Sequence, residues 1–145
     1  MGRAIGVIGA GGWGTALAKL LCEKGAGVTL WSHGEDSYRR ILEQRENGSY
    51  LLGIALPPSL EVTRSVREAV SGKEIIFCAV PSHGVREVMQ EARPHVPSEA
   101  ILVCGTKGIE DTTLQTMGEL LAEIFGAAKR EIGRASCRER VYVLV

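Results

Sequence analysis

Gly9-Ala10-Gly11-Gly12-Trp13-Gly14 follows the apolar run Ala4 to Ile8 and precedes a stretch from Thr15 to Lys24 in which Ala16, Leu17, Leu20 and Leu21 recur at helical spacing. The hexapeptide therefore reads G-x-G-x-x-G between a strand and a helix. Each glycine answers a separate physical need. Gly9 lets the strand turn sharply, a side chain at Gly11 would keep a pyrophosphate off the backbone, and bulk at Gly14 would hold helix and strand apart. The helix N-terminus adds unpaired N–H donors and a partial positive charge. With 18 glycines in 145 residues, the hexapeptide alone also suits a plain strand, turn and helix. The elements on either side of it are what point to a dinucleotide.

Further along, Glu23-Lys24-Gly25 gives the first helix a polar end and a glycine stop, and Val28 to Trp31 reads as a short buried strand. Tyr38, Ile41 and Leu42 predict a helix over Glu35 to Gln44, ending near Asn47-Gly48. Leu51 to Pro58 reads as a proline-punctuated loop, Leu60 to Thr63 as a short strand, and Val66 to Val70 as one or two helical turns. Ile75 to Val80 is a continuous apolar run, the pattern of a parallel strand covered on both faces. Val85, Val88, Met89 and Ala92 predict a helix up to Pro94, Ala100 to Cys104 a strand, and Leu114, Met117, Leu121 and Ile124 a last helix stopped at Gly126. This alternation predicts an α/β fold, a Rossmann-like, doubly wound, mostly parallel sheet with helices on both faces. In such a sheet ligands lie at the carboxyl ends of the strands. Here those ends are 9–12, 31–33, 81–83 and 105–108, four loops converging on one crevice.

Composition narrows the classes of function. Seventeen basic residues balance 17 acidic ones and the pI is near 6.8, so neither nucleic acid nor an anionic membrane is expected as a partner. No apolar run approaches the ~20 residues of a membrane span, and Ala4 to Ala10 is too short and glycine-rich for a signal peptide. Cys22, Cys78, Cys104 and Cys137 show no C-x-x-C spacing, and the first three sit among apolar neighbours. They read as reduced thiols of a cytoplasmic protein. None of His33, His83 and His95 comes with spaced Cys or acidic ligands, so no metal is expected. The absence of G-x-x-x-x-G-K-[ST] argues against a P-loop nucleotidase.

The end of the second strand addresses the choice of dinucleotide. NAD sites usually place Asp or Glu there to bind the ribose hydroxyls, but this chain has Trp31-Ser32-His33. Ser32 can donate to a 2′-phosphate and His33 can meet one as a cation or N–H donor, where a carboxylate would repel it. NADP (NADPH) is thus preferred over NAD. Glu35 and Asp36 stand near enough to serve NAD, or else simply favour the first turn of the next helix. Lys107, in Gly105-Thr106-Lys107-Gly108, suits a phosphate or a polarised carbonyl, or is a solvated loop lysine. Ser82 either contacts the cofactor or caps its helix.

Taken together, Gly9 to Ala18, Leu30-Trp31-Ser32-His33, Asn47 to Leu51 leading to Leu56-Pro57, Val80-Pro81-Ser82 and Thr106-Lys107-Gly108-Ile109-Glu110 resemble the bacterial NAD(P)-dependent sn-glycerol-3-phosphate dehydrogenases. The resemblance covers about residues 3 to 128, the cofactor-binding domain of that family. It implies that Gly12 and Trp13 flank the cofactor phosphates, that His33 contacts the NADPH end, that Tyr50 lines the cofactor side, and that Lys107 touches both cofactor and glycerol phosphate. The implied reaction is reduction of dihydroxyacetone phosphate to sn-glycerol 3-phosphate for phospholipid synthesis, by an enzyme that is a homodimer at full length. Residues 1–128 are expected to form the dinucleotide-binding domain. The basic tail 129–145, with Lys129, Arg130, Arg134, Arg138 and Arg140, resembles nothing in the family. The helical substrate domain, with the proton-donating lysine and the substrate phosphate clamp, is expected to be absent. Two other readings stand beside this one, a stand-alone dinucleotide-binding module and a different reductase such as a ketopantoate-type enzyme.

Overall fold

β1 (Ala4–Ile8), buried from Ile5 onward, runs into Gly9 and then α1 (Gly12–Glu23). The computed structural model describes residues 2–126 and the backbone of 131–133. α1 begins at Gly12 rather than Thr15, with Gly11 in an extended conformation as its N-cap. The last three fingerprint residues therefore form its first turn. The helix ends in a Schellman arrangement: Gly25, at φ +86°, donates to the Cys22 carbonyl at 2.9 Å and Ala26 to that of Leu21 at 3.1 Å, as a glycine beyond a helix end permits.

β2 (Gly27–Trp31) pairs in parallel with β1, and α2 (Glu35–Gln44) has the predicted bounds and buries Ile41. It ends at Arg45, held in the left-handed region (φ 53°), whose guanidinium donates to the Leu60 carbonyl at 2.8 Å. The segment predicted as a loop is in part a hairpin, β3 (Glu46–Asn47) antiparallel to β4 (Leu51–Ala55). Its Leu52 and Ile54 are exposed and Gly53 sits at φ +75°, so no inward-outward alternation marks it as a strand in the sequence.

β5 (Glu61–Thr63), α3 (Val66–Val70), β6 (Ile75–Cys78), α4 (Ser82–Ala92), a 3-10 turn at Arg93–His95, β7 (Ile101–Cys104), α5 (Met117–Phe125) and β8 (Glu131–Gly133) complete the order. The main sheet runs β5-β2-β1-β6-β7-β8 and every neighbouring pair is parallel. It is the doubly wound arrangement in which the strand order reverses beside β1. β8 falls within the basic tail and pairs with β7 from Leu102↔Glu131. The remainder of 129–145, Cys137 included, lies outside the described residues.

Two apolar clusters sandwich the sheet. One joins Ile8, Ile76, Cys78, Leu102 and Cys104 to α3, α4 and α5. The other joins Ile5, Val7, Val28 and Leu30 to Ala18 and Cys22 of α1 and Ile41 of α2. The second also packs against Ile75 and Phe77, so β6 meets an apolar cluster on each face, more fully on the first. Ile76 and Cys78 are buried while Ile75 and Phe77 are half-buried, and β7 repeats the pattern with Ile101 and Val103. Against its spacing, Leu114 is not part of the last helix. A capping box, Thr116 with Glu119, starts that helix after it, and Leu114 lies in the preceding loop at φ 59°, 70% exposed.

Candidate functional site

The loops after β1, β2, β6 and β7 meet at the carboxyl ends of the parallel strands, and the glycine turn touches the other three. Gly9 sits at φ +120°, and a Cβ there would stand 2.7 Å from the Ala79 carbonyl oxygen. A Cβ at Gly14 would stand 1.9 Å from the Gly9 carbonyl oxygen and 3.3 Å from the Ala79 Cβ. Both glycines are thus demanded by the protein's own packing. Gly11 differs, because a Cβ there would meet nothing within 4 Å and its φ of −74° suits any residue. What a side chain would fill at Gly11 is open space in front of the first turn of α1. That turn has no side-chain cap and no acidic residue, so its amides are free for an anion. On these counts the cradle fits a dinucleotide pyrophosphate.

Gly12 and Trp13 extend the turn on two sides. The Tyr50 carbonyl oxygen lies 3.2 Å from where a Gly12 Cβ would be, which brings the β3–β4 hairpin, with Tyr50 59% exposed, over the glycine turn. Asn47 secures that approach. Fully buried, it donates its Nδ2 to the Ala10 carbonyl and to Thr15 Oγ1, both at 2.8 Å. Its Oδ1 is a buried oxygen without a hydrogen bond among the described residues. The partners lie 37 and 32 positions away in the chain, and nothing in the local sequence signals this role. On the other side, the half-exposed Trp13 ring covers Gly105, where a Cβ would come within 2.7 Å of it.

The loop after β7 carries Lys107, which is exposed. Thr106 anchors its start by donating to the Val80 carbonyl at 2.6 Å. Gly108, at φ +105°, brings the chain past Ser82, whose Oγ would lie 3.8 Å from a Cβ there. Ser82 is the first residue of α4 and Pro81 is the N-cap, without a side-chain cap bond, so Ser82 does not cap its helix. Glu110 holds the loop's other end. Only 8% exposed, its carboxylate takes two hydrogen bonds from Arg86 of α4, at 2.6 and 2.8 Å, and one from Thr113. Those donors hold the Glu110 carboxyl down at about 2, and the same pairing raises the Arg86 guanidinium above its ordinary value. Arg86 also bridges to Glu123 of α5 at 2.8 Å and to Gln115 at 3.1 Å. Glu110 closes the stretch Thr106-Lys107-Gly108-Ile109-Glu110, but its partner Arg86 lies 24 positions away and nothing in that stretch signals the clamp.

At the end of β2, Ser32 is buried beside the turn that it opens. It is 1% exposed, its amide donates to the Thr63 carbonyl at 2.9 Å and its hydroxyl to the Gly34 carbonyl at 3.2 Å. It braces the turn through that local bond. His33 is exposed, its ring centroid 5.8 Å from that of Trp31. Glu35 stands in the first turn of α2 and pairs with Arg39 at 3.3 Å and with Arg64. Among the described residues no group of three or more His, Cys, Asp or Glu could hold a metal ion, and no helix is long and apolar enough to cross a membrane.

The family model described as "NAD-dependent glycerol-3-phosphate dehydrogenase N-terminus" matches residues 4–136, reaching into the basic tail. A glycerol-3-phosphate dehydrogenase [NAD(P)+] from Citrifermentans bemidjiense is 45% identical over 124 residues, covering 86% of this chain and 37% of that protein. One from Pelotomaculum thermopropionicum is 41% identical over 126 residues, covering 87% and 36%. Among solved structures, a glycerol-3-phosphate dehydrogenase from Coxiella burnetii superposes with a TM-score of 0.84 at 29% identity, covering 91% of this chain and 40% of that one. The chain thus spans little more than a third of the length of the curated relatives it matches.

Proposed function

This chain belongs to the NAD-dependent glycerol-3-phosphate dehydrogenase family, of which it carries the N-terminal domain, and on that basis we propose that it is the cofactor-binding half of a dehydrogenase that interconverts dihydroxyacetone phosphate and sn-glycerol 3-phosphate. The observation that carries the reading is the open space over Gly11 at the uncapped start of α1, between two glycines that the packing itself requires. Gly9, Gly11, Gly12, Trp13 and Gly14 form the pyrophosphate cradle, Tyr50 lines its flank, and Ser82 stands at the uncapped start of α4 facing Gly108. Lys107 reaches both the cofactor and the substrate phosphate or carbonyl. His33 meets the adenosine end of NADPH, which is preferred over NADH because no acid ends β2. When bound, the cofactor supplies the hydride for the ketone carbon. The residues of this chain orient it and hold the substrate's negative charge, and the proton for the developing alkoxide comes from a lysine outside residues 1–145.

Calorimetric titration of the chain with NADPH and NADH tests this directly. Saturable binding of both, tighter for NADPH, is the expected result. Gly11→Val should abolish binding while the circular dichroism spectrum stays unchanged, since its side chain would occupy the pyrophosphate's space and nothing else. Retained affinity in that variant would make the glycine turn purely structural. His33→Asp should reverse the cofactor preference, a loss of about tenfold to a hundredfold for NADPH if one charge-assisted hydrogen bond is removed.

A further inference from the structure

Resting on the dinucleotide reading above, we infer that Arg64 is a specificity-determining residue for the adenosine 2′-phosphate, and that Glu35 is its resting partner, from which that phosphate withdraws it. The sheet order sets this up. β5 lies beside β2 with Trp31 opposite Thr63, so the residue that follows β5 emerges level with Ser32, at the strand end where sheets of this order read the adenosine ribose.

Arg64 is fixed there by its backbone. Trp31 Nε1 donates to the Arg64 carbonyl at 3.0 Å, and the Ser32 amide donates to the Thr63 carbonyl. From that anchor the guanidinium crosses the mouth of the β2 turn, with one nitrogen 3.4 Å from the His33 carbonyl and the other on the Glu35 carboxylate. It therefore lies over the residues that replace the usual acid.

The chemistry favours a dianion over the present partner. A guanidinium presents a planar fork of donors that matches phosphate oxygens, and a phosphate monoester carries nearly twice the charge of a carboxylate. The Arg64–Glu35 pair is about half exposed at both ends, and pairs of that kind hold their partners weakly. A 2′-phosphate can therefore take Arg64 from Glu35 at small cost. A bare 2′-hydroxyl cannot, so with NADH the arginine stays on Glu35. Both residues sit at exposed positions and can be changed without disturbing the core.

The test is the ratio of NADPH to NADH affinity in the 145-residue chain, together with the affinities of adenosine 2′,5′-bisphosphate and AMP, fragments that differ only in the 2′-phosphate. Arg64→Gln should lower the ratio about tenfold or more and flatten the salt dependence of NADPH binding. Arg64→Lys should fall between, keeping the charge without the fork. Glu35→Gln should raise the ratio by freeing the arginine. If the wild type binds neither dinucleotide, the reading beneath the inference fails and the inference with it. If both bind and Arg64→Gln leaves the ratio unchanged, the dinucleotide reading stands and the role of Arg64 is overturned. A wild type that prefers NADH overturns that role as well.

Discussion

A methyl group added at Gly14 would stand 1.9 Å from a backbone oxygen, whereas one added at Gly11 would meet nothing. Gly14→Ala must therefore push α1 off β1 and should cost about 1–3 kcal/mol, as overpacking does. Gly11→Ala should leave the melting temperature unchanged and weaken dinucleotide binding alone. Thermal unfolding and a titration on each variant separate the two effects. Asn47→Asp should be worse than either. It loses two donated hydrogen bonds and places a carboxylate at a fully buried position, a cost on the order of 3 kcal/mol readable in the urea midpoint. The need for glycine at positions 9 and 14 was legible in the sequence because each follows from local backbone chemistry. Asn47 was not, since its partners are brought to it by the hairpin, nor was the bond from the Ser32 hydroxyl to the Gly34 carbonyl, which the turn there decides.

Between α4 and α5, the loop after β7 is held by carboxylates whose state depends on pH. Arg86 and Thr113 lower the Glu110 carboxyl from its ordinary 4.5 to about 2. Arg86 and then Gln115 lower that of Glu123, and the backbone and hydroxyl of Thr116 lower that of Glu119. A carboxyl whose value is lowered by folding stabilises the fold fully above its unfolded value and loses that contribution as the pH falls toward the folded one. The melting temperature should therefore fall as the pH drops from about 4.5 toward 2. Arg86→Met should flatten this decline by removing the main cause at two of the three groups. A melting-temperature profile for Arg86→Met that matches the wild type between those pH values would exclude the clamp as its source. The order of helices and strands was legible from apolar spacing, and α2 was read to the residue. The start of α5 was not, because the spacing continues back through Leu114 while the capping box starts the helix only after Thr116.

For the molecule as a whole, the Rossmann-like architecture was readable from the alternation of elements, and the hairpin and the thin cover of one face of β7 were not, since both depend on what packs across the sheet. Ile75 and Phe77 are half-buried against the cluster that α1 and α2 complete, and beyond them Ile101 and Val103 stay half-buried outside both clusters. Concentration-dependent self-association of the 145-residue chain is the expected consequence, measurable by sedimentation velocity. With dihydroxyacetone phosphate and NADPH the chain should bind cofactor without turning over, since proton delivery and substrate positioning each supply large factors. Turnover near the usual ~10 per second of enzymes would show that Lys107 and its neighbours suffice. The strand order also sets a timetable for synthesis. β1 is made first but stands in the middle of the sheet, and its partner in β6 lies 70 positions later, Ile5 against Ile75. At ribosomal rates of about 5–20 residues per second, one edge of Ala4–Ile8 waits roughly 4–14 s for its neighbour. During that interval the carboxyl end of β1 has the glycine turn attached and no Ala79 to close it, so a chaperone or a stalled ribosome would meet this protein with that turn still unassembled.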